Sequence, residues 1–117
     1  MLSLIAQKLI IMKWYKLNED HSVELFPEGE YPLNGDLRSD IKHIGDDVVN
    51  DQRISTVFLH LDHNWNPDGQ PVLFETMIFG GEYDEEMWRY CTWDEAKAGH
   101  DRIVNCLKEG VTPIENI

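Results

Sequence analysis

Residues 54–81 constrain the fold more than any other part of the chain. Two apolar runs, at 54–61 and 72–79, flank a loop that carries the sequence Asn-Pro-Asp-Gly at 66–69. Pro favours the second position of a type I turn, and the Gly at the fourth position suits a left-handed backbone conformation. The pattern therefore predicts an antiparallel β-hairpin.

Alternation along the two predicted strands divides their side chains between two faces. One face carries Phe58, Phe74 and Ile78 with Ile54, Thr56, His60, Asp62 and Thr76, and the other carries Val57, Leu59, Leu61, Leu73, Met77 and Phe79 with His63 and Glu75. Because both faces are largely apolar, we expect the hairpin to be central in a sheet and covered on both sides. A C-terminal helix can cover one face, and the N-terminal segment, a loop or a second subunit can cover the other.

Four shorter strands are predicted around this hairpin, at 14–17, 22–26, 45–50 and 86–91, with a short helix at 36–43 and a turn at 80–84. Thr92 and Glu95 form a capping box that opens a long helix at Trp93. The helix is expected to run to Lys108, because Gly110 suits the residue after a helix C-terminus. The predicted fold class is α+β: an antiparallel β-sheet with a central hairpin and a C-terminal α-helix packed on one face.

The length of 117 residues suits one domain, which we place at 12–117. Residues 1–11 form an apolar N-terminal extension that is too short to span a bilayer, so we expect no membrane partner. The two cysteines, Cys91 and Cys106, form no C-x-x-C pair. Two reduced thiols are typical of a cytoplasmic protein.

The charge of the chain restricts its partners. There are 22 Asp and Glu residues against 10 Lys and Arg residues, which gives a formal net charge of −12. Such a surface repels phosphate backbones, so no direct nucleic-acid binding is predicted. The same charge would attract a protein with a basic surface, including one that normally holds DNA or RNA. Alternatively, the charge only keeps the protein in solution.

His60, Asp62 and His63 have the spacing most typical of metal ligands in this chain. His60 and Asp62 share one face of an extended strand and His63 lies opposite, so a metal site would need a further ligand such as His100. Alternatively, Asp62 and His63 end the strand and hydrogen-bond the loop. We predict no bound metal and no cofactor.

Glu75 is a single carboxylate in an apolar strand, and burying it without a partner would be costly. His63 and Arg89 are the candidate partners. A His–Glu pair beside a cleft can begin a general acid–base site, and it can equally satisfy one polar position of a sheet. Cys91 and His100 are a conceivable thiol–base pair, unless Cys91 belongs to the core.

Two groups of residues are candidates for binding. The loop end of the hairpin offers a cleft formed by Asp62, His63, Asn64, Trp65, Glu75 and Arg89. The acidic stretch at 82–86 offers a negative patch formed by Glu82, Asp84, Glu85 and Glu86, which Asp36, Asp40, Asp46 and Asp47 could extend. Trp65 either packs back or contacts a partner, and a run of charges can also be a solvated face.

Three blocks of sequence, ISTVFLHLDH at 54–63, PVLFETMIFGG at 71–81 and RYCTWDEAKAGH at 89–100, resemble a family of small uncharacterised phage and prophage proteins. The resemblance covers about the C-terminal half of the chain. The family pattern has Gly where this chain has His60, so the resemblance assigns His60 no shared role. It implies a phage gene expressed in a bacterial cytoplasm, and it supplies no activity.

The leading functional hypothesis is a non-enzymatic accessory protein that binds a host protein with a basic surface, its carboxylates standing in for phosphates. The target class is a nucleic-acid-handling machine or a defence complex, which the protein would inhibit. The second hypothesis is a pocket protein that sequesters or processes a nucleotide-like small ligand. The third is a virion or assembly component that forms a homo-oligomer. The sequence shows no G-x-S-x-G motif and no phosphate-binding Gly-rich motif.

Overall fold

Residues 13–27, 43–64 and 69–115, which the computed structural model describes, form six strands and one helix. The strands are β1 (Tyr15–Leu17), β2 (Val23–Leu25), β3 (His43–Val49), β4 (Gln52–Phe58), β5 (Phe74–Phe79) and β6 (Met87–Tyr90), and the helix is α1 (Trp93–Glu109). β1 and β2 form a two-stranded hairpin, and the other strands form a sheet in the order β3-β4-β5-β6. Every neighbouring pair is antiparallel, and α1 packs on the four-stranded sheet, so the predicted α+β class is confirmed.

The predicted central hairpin is the pair β4 and β5, with Ile54 opposite Ile78 and Phe58 opposite Phe74. Its strands are shorter than the apolar runs, although the Leu59 N–H still donates to the Leu73 carbonyl at 2.6 Å beyond the end of β4. The carbonyl of His60 accepts from the Tyr15 N–H at 2.7 Å, which joins this segment to the first hairpin. Most of the turn predicted at 66–69 lies outside the described residues.

The helix begins and ends as the sequence predicts. The Thr92 hydroxyl accepts from the Glu95 N–H at 3.1 Å, which is one half of a capping box, and it donates to the Glu95 carboxylate at 3.0 Å. At the other end Gly110 has φ 70°, a left-handed conformation that glycine adopts without the steric cost of a side chain. Its N–H bonds the carbonyls of Cys106 and Leu107, which closes the last turn of α1.

The core lies between α1 and one face of the sheet, in two apolar clusters. The first contains Leu17, Ile44, Phe58, Leu73, Phe74 and Ala96, and the second contains Val49, Ile54, Ile78, Ile103, Val104 and Leu107. Thr56, Thr76 and His100 lie on the same face with no exposed surface. Because Thr56 follows Ile54 and precedes Phe58 at strand spacing, these polar residues form a layer between the two clusters.

The opposite face of the sheet differs from the prediction. It was expected to be covered, yet Phe79 is 44% exposed and Met87 is 43% exposed, so the described residues supply no full second layer there. Leu73 was placed on that face but is fully buried in the core. It precedes β5, where strand alternation does not determine the side-chain direction.

The segment before β3 also differs from its prediction. The short helix expected at 36–43 lies outside the described residues except for His43, which begins β3. The strand that the sequence predicts to begin at Gly45 therefore begins two residues earlier, at His43. The pairing shifts register between His43 and Gly45, and such an irregularity hides the start of a strand from simple alternation.

Candidate functional site

The loop after β4 carries three of the residues predicted to form a cleft. One carboxylate oxygen of Asp62 accepts hydrogen bonds from the N–H groups of Asn64 at 2.8 Å and Val72 at 2.9 Å. The Asn64 amide donates to the Gln70 carbonyl at 2.7 Å. Asp62 and Asn64 therefore hold the two ends of the connection together, and for Asp62 this is the structural role named above as the alternative to metal binding. Trp65 lies outside the described residues.

Glu75 takes Arg89 as its partner. The two residues are paired across β5 and β6, and Arg89 Nε lies 3.1 Å from a Glu75 carboxylate oxygen. The other candidate, His63, instead bonds the Leu61 carbonyl through Nδ1 at 2.7 Å. No hydrogen bond joins His63 to Glu75 within the described residues, because the Glu75 carboxylate pairs with Arg89 and His63 Nδ1 bonds its own loop.

The stretch at 80–86 forms a tight turn between β5 and β6, which we call the acidic turn. Its backbone is fixed by bonds from the Gly80 N–H to the Asp84 carboxylate at 2.7 Å and from the Glu85 N–H to the Ile78 carbonyl at 2.8 Å. A side chain at Gly80 would lie 2.7 Å from the Asp51 carbonyl oxygen, so the turn packs closely against the turn between β3 and β4. Glu82, Asp84, Glu85 and Glu86 are all exposed.

The two groups of predicted binding residues lie at opposite ends of the sheet. The loop residues 62–64 lie near the start of β5, and the acidic turn follows its last residue, Phe79. A single site containing both groups is therefore not formed. Asp36 and Asp40 lie outside the described residues.

Asp46 and Asp47 are engaged with other groups. Asp46 receives two hydrogen bonds of 2.9 Å from the Arg53 guanidinium, which lower the pKa of Asp46. The Asp47 carboxylate lies 2.6 Å from His100 Nε2. These two carboxylates therefore add less to a negative patch than their sequence positions suggest.

A shallow depression of about 250 Å³ opens beside the same loop as Asp62. Its lining is almost entirely apolar and is formed by Trp14, Val57, Phe58, Leu59, His60, Leu61 and His63. The wall forms because Trp14 bridges to Leu61 when β1 runs beside the segment after β4. Sequence reasoning missed this site, since the pairing of Trp14 with Leu61 spans distant parts of the chain.

The polar layer of the core is a continuous chain of hydrogen bonds, which we call the polar belt. The Tyr90 hydroxyl donates to Thr76 at 3.1 Å, and Thr76 lies 2.5 Å from Thr56. Thr56 in turn lies 2.7 Å from His100 Nδ1, and His100 Nε2 reaches Asp47. With the hydrogen of a neutral His100 on Nε2, every donor in the belt has one acceptor.

Two glycines make room for the polar belt. A Cβ atom at Gly45 would lie 2.5 Å from His100 Nε2, and a Cβ atom at Gly99 would lie 2.4 Å from the Tyr90 hydroxyl. Because real Cβ atoms do not approach that closely, these backbone positions need glycine while the His and Tyr rings stay in place.

Asp47, His100 and Thr56 are linked in the same order as the acid, the base and the nucleophile of a hydrolase triad. The Thr56 hydroxyl, however, is not accessible to a substrate. A triad nucleophile must reach a substrate carbonyl. Thr56 is completely buried and already bonds both Thr76 and His100. The belt therefore acts in packing the core and in holding α1 on the sheet.

Cys91 and His100 do not form a thiol–base pair, because both imidazole nitrogens of His100 are occupied by Thr56 and Asp47. Burial, with smaller effects from Glu95 and Asp62, raises the pKa of the Cys91 thiol. A raised pKa leaves less of the reactive thiolate at neutral pH.

Among residues 13–27, 43–64 and 69–115, no three His, Cys, Asp or Glu side chains are grouped so that they could hold a metal ion. The same residues include no helix that is both long and apolar enough to cross a bilayer.

Comparisons with protein-family models, with curated proteins and with solved structures find no match for this chain.

Proposed function

We propose that this protein is a non-enzymatic accessory protein that binds a basic protein surface through the acidic turn. The observation that carries the proposal is the density of exposed carboxylates there: Glu82, Asp84, Glu85 and Glu86 lie within five residues. A rigid row of carboxylates can occupy the positions that phosphates take on a nucleic-acid-handling protein.

The acidic turn is preorganised for such a contact. The Ile78 N–H donates to the Glu86 carbonyl at 3.0 Å, and the Glu86 N–H donates to the Tyr83 carbonyl at 3.0 Å. A fixed backbone lowers the conformational entropy that binding must remove. Within the described part of the chain, Glu82, Glu85 and Glu86 have no Lys or Arg at ion-pair distance, so their charge remains available to a partner.

Five of the seven Lys and Arg side chains in the described residues are paired with carboxylates of the same chain. In the described ranges, Lys16 pairs with Glu24, Arg53 with Asp46, Arg89 with Glu75, Lys97 with Asp101 and Arg102 with Glu115. This pairing leaves the net charge of −12 concentrated in unpaired groups such as those of the acidic turn. The resemblance to phage and prophage proteins supports a bacterial host protein as the partner, with inhibition of a nucleic-acid-handling or defence complex as the outcome.

The test is affinity capture from a bacterial lysate with identification of the captured proteins by mass spectrometry. We expect wild type to retain proteins with basic nucleic-acid-binding surfaces, and we expect them to be released when salt is raised from about 0.1 M to about 1 M, where the Debye length falls to roughly 3 Å. A variant with Glu82→Gln and Glu85→Gln should lose them.

A matched control carries Glu19→Gln and Asp94→Asn. These changes also remove two negative charges, one from the β1–β2 turn and one from the first turn of α1. It should capture the same proteins as wild type. If the variant of the acidic turn captures them equally well, or if high salt does not release them, the acidic turn is not the binding surface.

The other two functions remain predictions with narrower support. The depression beside His60 supports a small-ligand site, but its described lining includes no Lys or Arg to hold a nucleotide phosphate. The exposed Phe79 and Met87 on the open face of the sheet support self-association in an assembly.

A further inference from the structure

The open face of the sheet carries a group of apolar side chains beside the acidic turn. We call this group the apolar patch, and it consists of Val48, Met77, Phe79 and Met87. We propose that the apolar patch and the acidic turn form one continuous interface, which fits a partner protein that presents apolar side chains next to Lys and Arg. This proposal depends on the proposed function, because it adds an apolar half to the surface that the acidic turn supplies.

The register of the strands places the four side chains together. Phe79 lies opposite Arg53, which lies opposite Val48, and Met77 lies opposite Met87. Paired residues of antiparallel strands point to the same face of a sheet, and so do residues two apart on one strand. Because the residue between Met77 and Phe79 is buried in the core beneath α1, the apolar patch lies on the other face.

The apolar patch is accessible to a partner. Val48 is 69% exposed, and Phe79 and Met87 are each more than two-fifths exposed, with Met77 half-buried among them. The Arg53 guanidinium lies 5.9 Å from the centroid of the Phe79 ring, which helps to orient the ring. Adjoining exposed apolar side chains mark interaction surfaces, and aromatic residues and Met are enriched in the buried centres of protein interfaces.

The apolar patch and the acidic turn are contiguous. Phe79 directly precedes the turn and Met87 directly follows it. The hydrogen bond from the Ile78 N–H to the Glu86 carbonyl closes the turn, so its carboxylates stay beside the patch. The result is an apolar centre with negative charge along one side, and an apolar centre with a polar rim is the usual anatomy of a protein interface.

The charge of this surface distinguishes between partners. Two ion pairs on the same face, Arg53 with Asp46 and Arg89 with Glu75, have no net charge, and the acidic turn gives this side of the surface its negative charge. A second copy of the chain would bring a further net charge of −12, which repulsion disfavours. A partner with Lys and Arg around apolar side chains is complementary to both halves.

Two synthetic peptides with identical Lys and Arg positions are the matched probes. The apolar peptide carries Leu and Trp between the basic residues, and the serine peptide carries Ser at those positions. Fluorescence anisotropy with the full chain at about 0.1 M NaCl measures both dissociation constants. We expect the apolar peptide to bind about tenfold more tightly, because its Leu and Trp side chains are buried against the apolar patch.

Salt separates the two halves of the interface. Raising NaCl to about 0.5 M should weaken the binding of both peptides, because salt screens the attraction to the acidic turn. The preference for the apolar peptide should persist, since apolar contacts are not screened. A preference that disappears at high salt would contradict an apolar half.

A paired substitution assigns the preference to the apolar patch. Phe79→Thr with Met87→Thr keeps the charge and uses a residue that favours strands, so this patch variant should bind both peptides as weakly as wild type binds the serine peptide. The control, Leu25→Thr with Val111→Thr, removes similarly exposed side chains from the first hairpin and from the segment after α1, and it should keep the preference. Circular dichroism checks folding, and if the patch variant is unfolded, Met87→Thr alone replaces it.

The outcomes distinguish this interface from the proposed function. Equal binding of the two peptides by wild type, with both weakened by Glu82→Gln and Glu85→Gln, would overturn the apolar half and leave the acidic turn as the binding surface. No binding of either peptide, or no effect of those two substitutions, would overturn both proposals. A dimer in sedimentation that the patch variant converts to a monomer would assign the apolar patch to a second copy of the chain and contradict the inference.

Discussion

At the scale of single residues, the polar belt explains how a small core tolerates two threonines and a histidine. Thr56, Thr76 and His100 are completely buried, yet each has a hydrogen-bond partner within the belt. His100 lies at helical spacing with Ala96, Ile103, Val104 and Leu107, the other buried residues of α1. Its partners could not be deduced, because they depend on the register between β4 and β5 and on how α1 crosses them.

His100→Ala should lower the free energy of unfolding by about 2–4 kcal/mol, because it leaves a cavity and breaks the polar belt. Urea denaturation measures the change. Asp47→Asn is the control: its side chain is 54% exposed and its amide oxygen can still accept from His100, so it should cost less than about 1 kcal/mol. A loss below about 0.5 kcal/mol for His100→Ala would show that the belt does not stabilise the core.

Gly45→Ala should destabilise the protein by about 1–3 kcal/mol, since the new methyl group would overlap the His100 ring. In a His100→Ala background the ring is absent, and the same substitution should cost less than about 1 kcal/mol. Denaturation of the two single variants and the double variant measures this coupling. Additive losses would mean that the cost of Gly45→Ala arises from the backbone of β3 and not from the imidazole.

Cys91 should react slowly with iodoacetamide in the folded protein at neutral pH. Burial holds the pKa of Cys91 above its ordinary value, so the thiolate is scarce there and increases as pH rises past that value. Mass spectrometry of the peptide that contains Cys91 follows the rate. The same peptide in urea is the control and should react faster at each pH; equal rates in the two states would contradict a raised pKa.

At the scale of elements, α1 illustrates how local sequence determines boundaries. Thr92 and Glu95 define its start, and Gly110 defines its end. These signals act over four residues or fewer, so they are visible without knowledge of the fold. The ends of β4 and β5 were not visible in the same way, because they depend on pairing between segments that are far apart in the chain.

Thr92→Ala should cost about 1 kcal/mol of stability, since the N–H of Glu95 loses its acceptor at the N-terminus of α1. Thr112→Ala is the matched control: its hydroxyl accepts from the Ile114 N–H in an exposed segment, so the change should stay within about 0.5 kcal/mol. Urea denaturation compares the two. Equal losses would show that the cap contributes nothing specific to α1.

At the scale of the whole molecule, the net charge of −12 opposes the compact state through self-repulsion. Raising NaCl from about 10 mM to about 150 mM should therefore raise the thermal midpoint, because the Debye length shortens from roughly 30 Å to roughly 8 Å. KCl at equal ionic strength is the control and should act alike. A fall in the midpoint would show that the surface ion pairs, such as Lys97 with Asp101, outweigh the repulsion.

The α+β class, the pairing of the central strands and the start and end of the C-terminal helix follow from local sequence, because periodicity, turn residues and caps act over short distances. Packing of the elements was needed to show that Glu75 pairs with Arg89, that His100 joins Thr56 and Asp47, and that Trp14 closes a depression beside His60. Each of these contacts joins different elements, and no local pattern specifies the distance between side chains that are far apart in the chain.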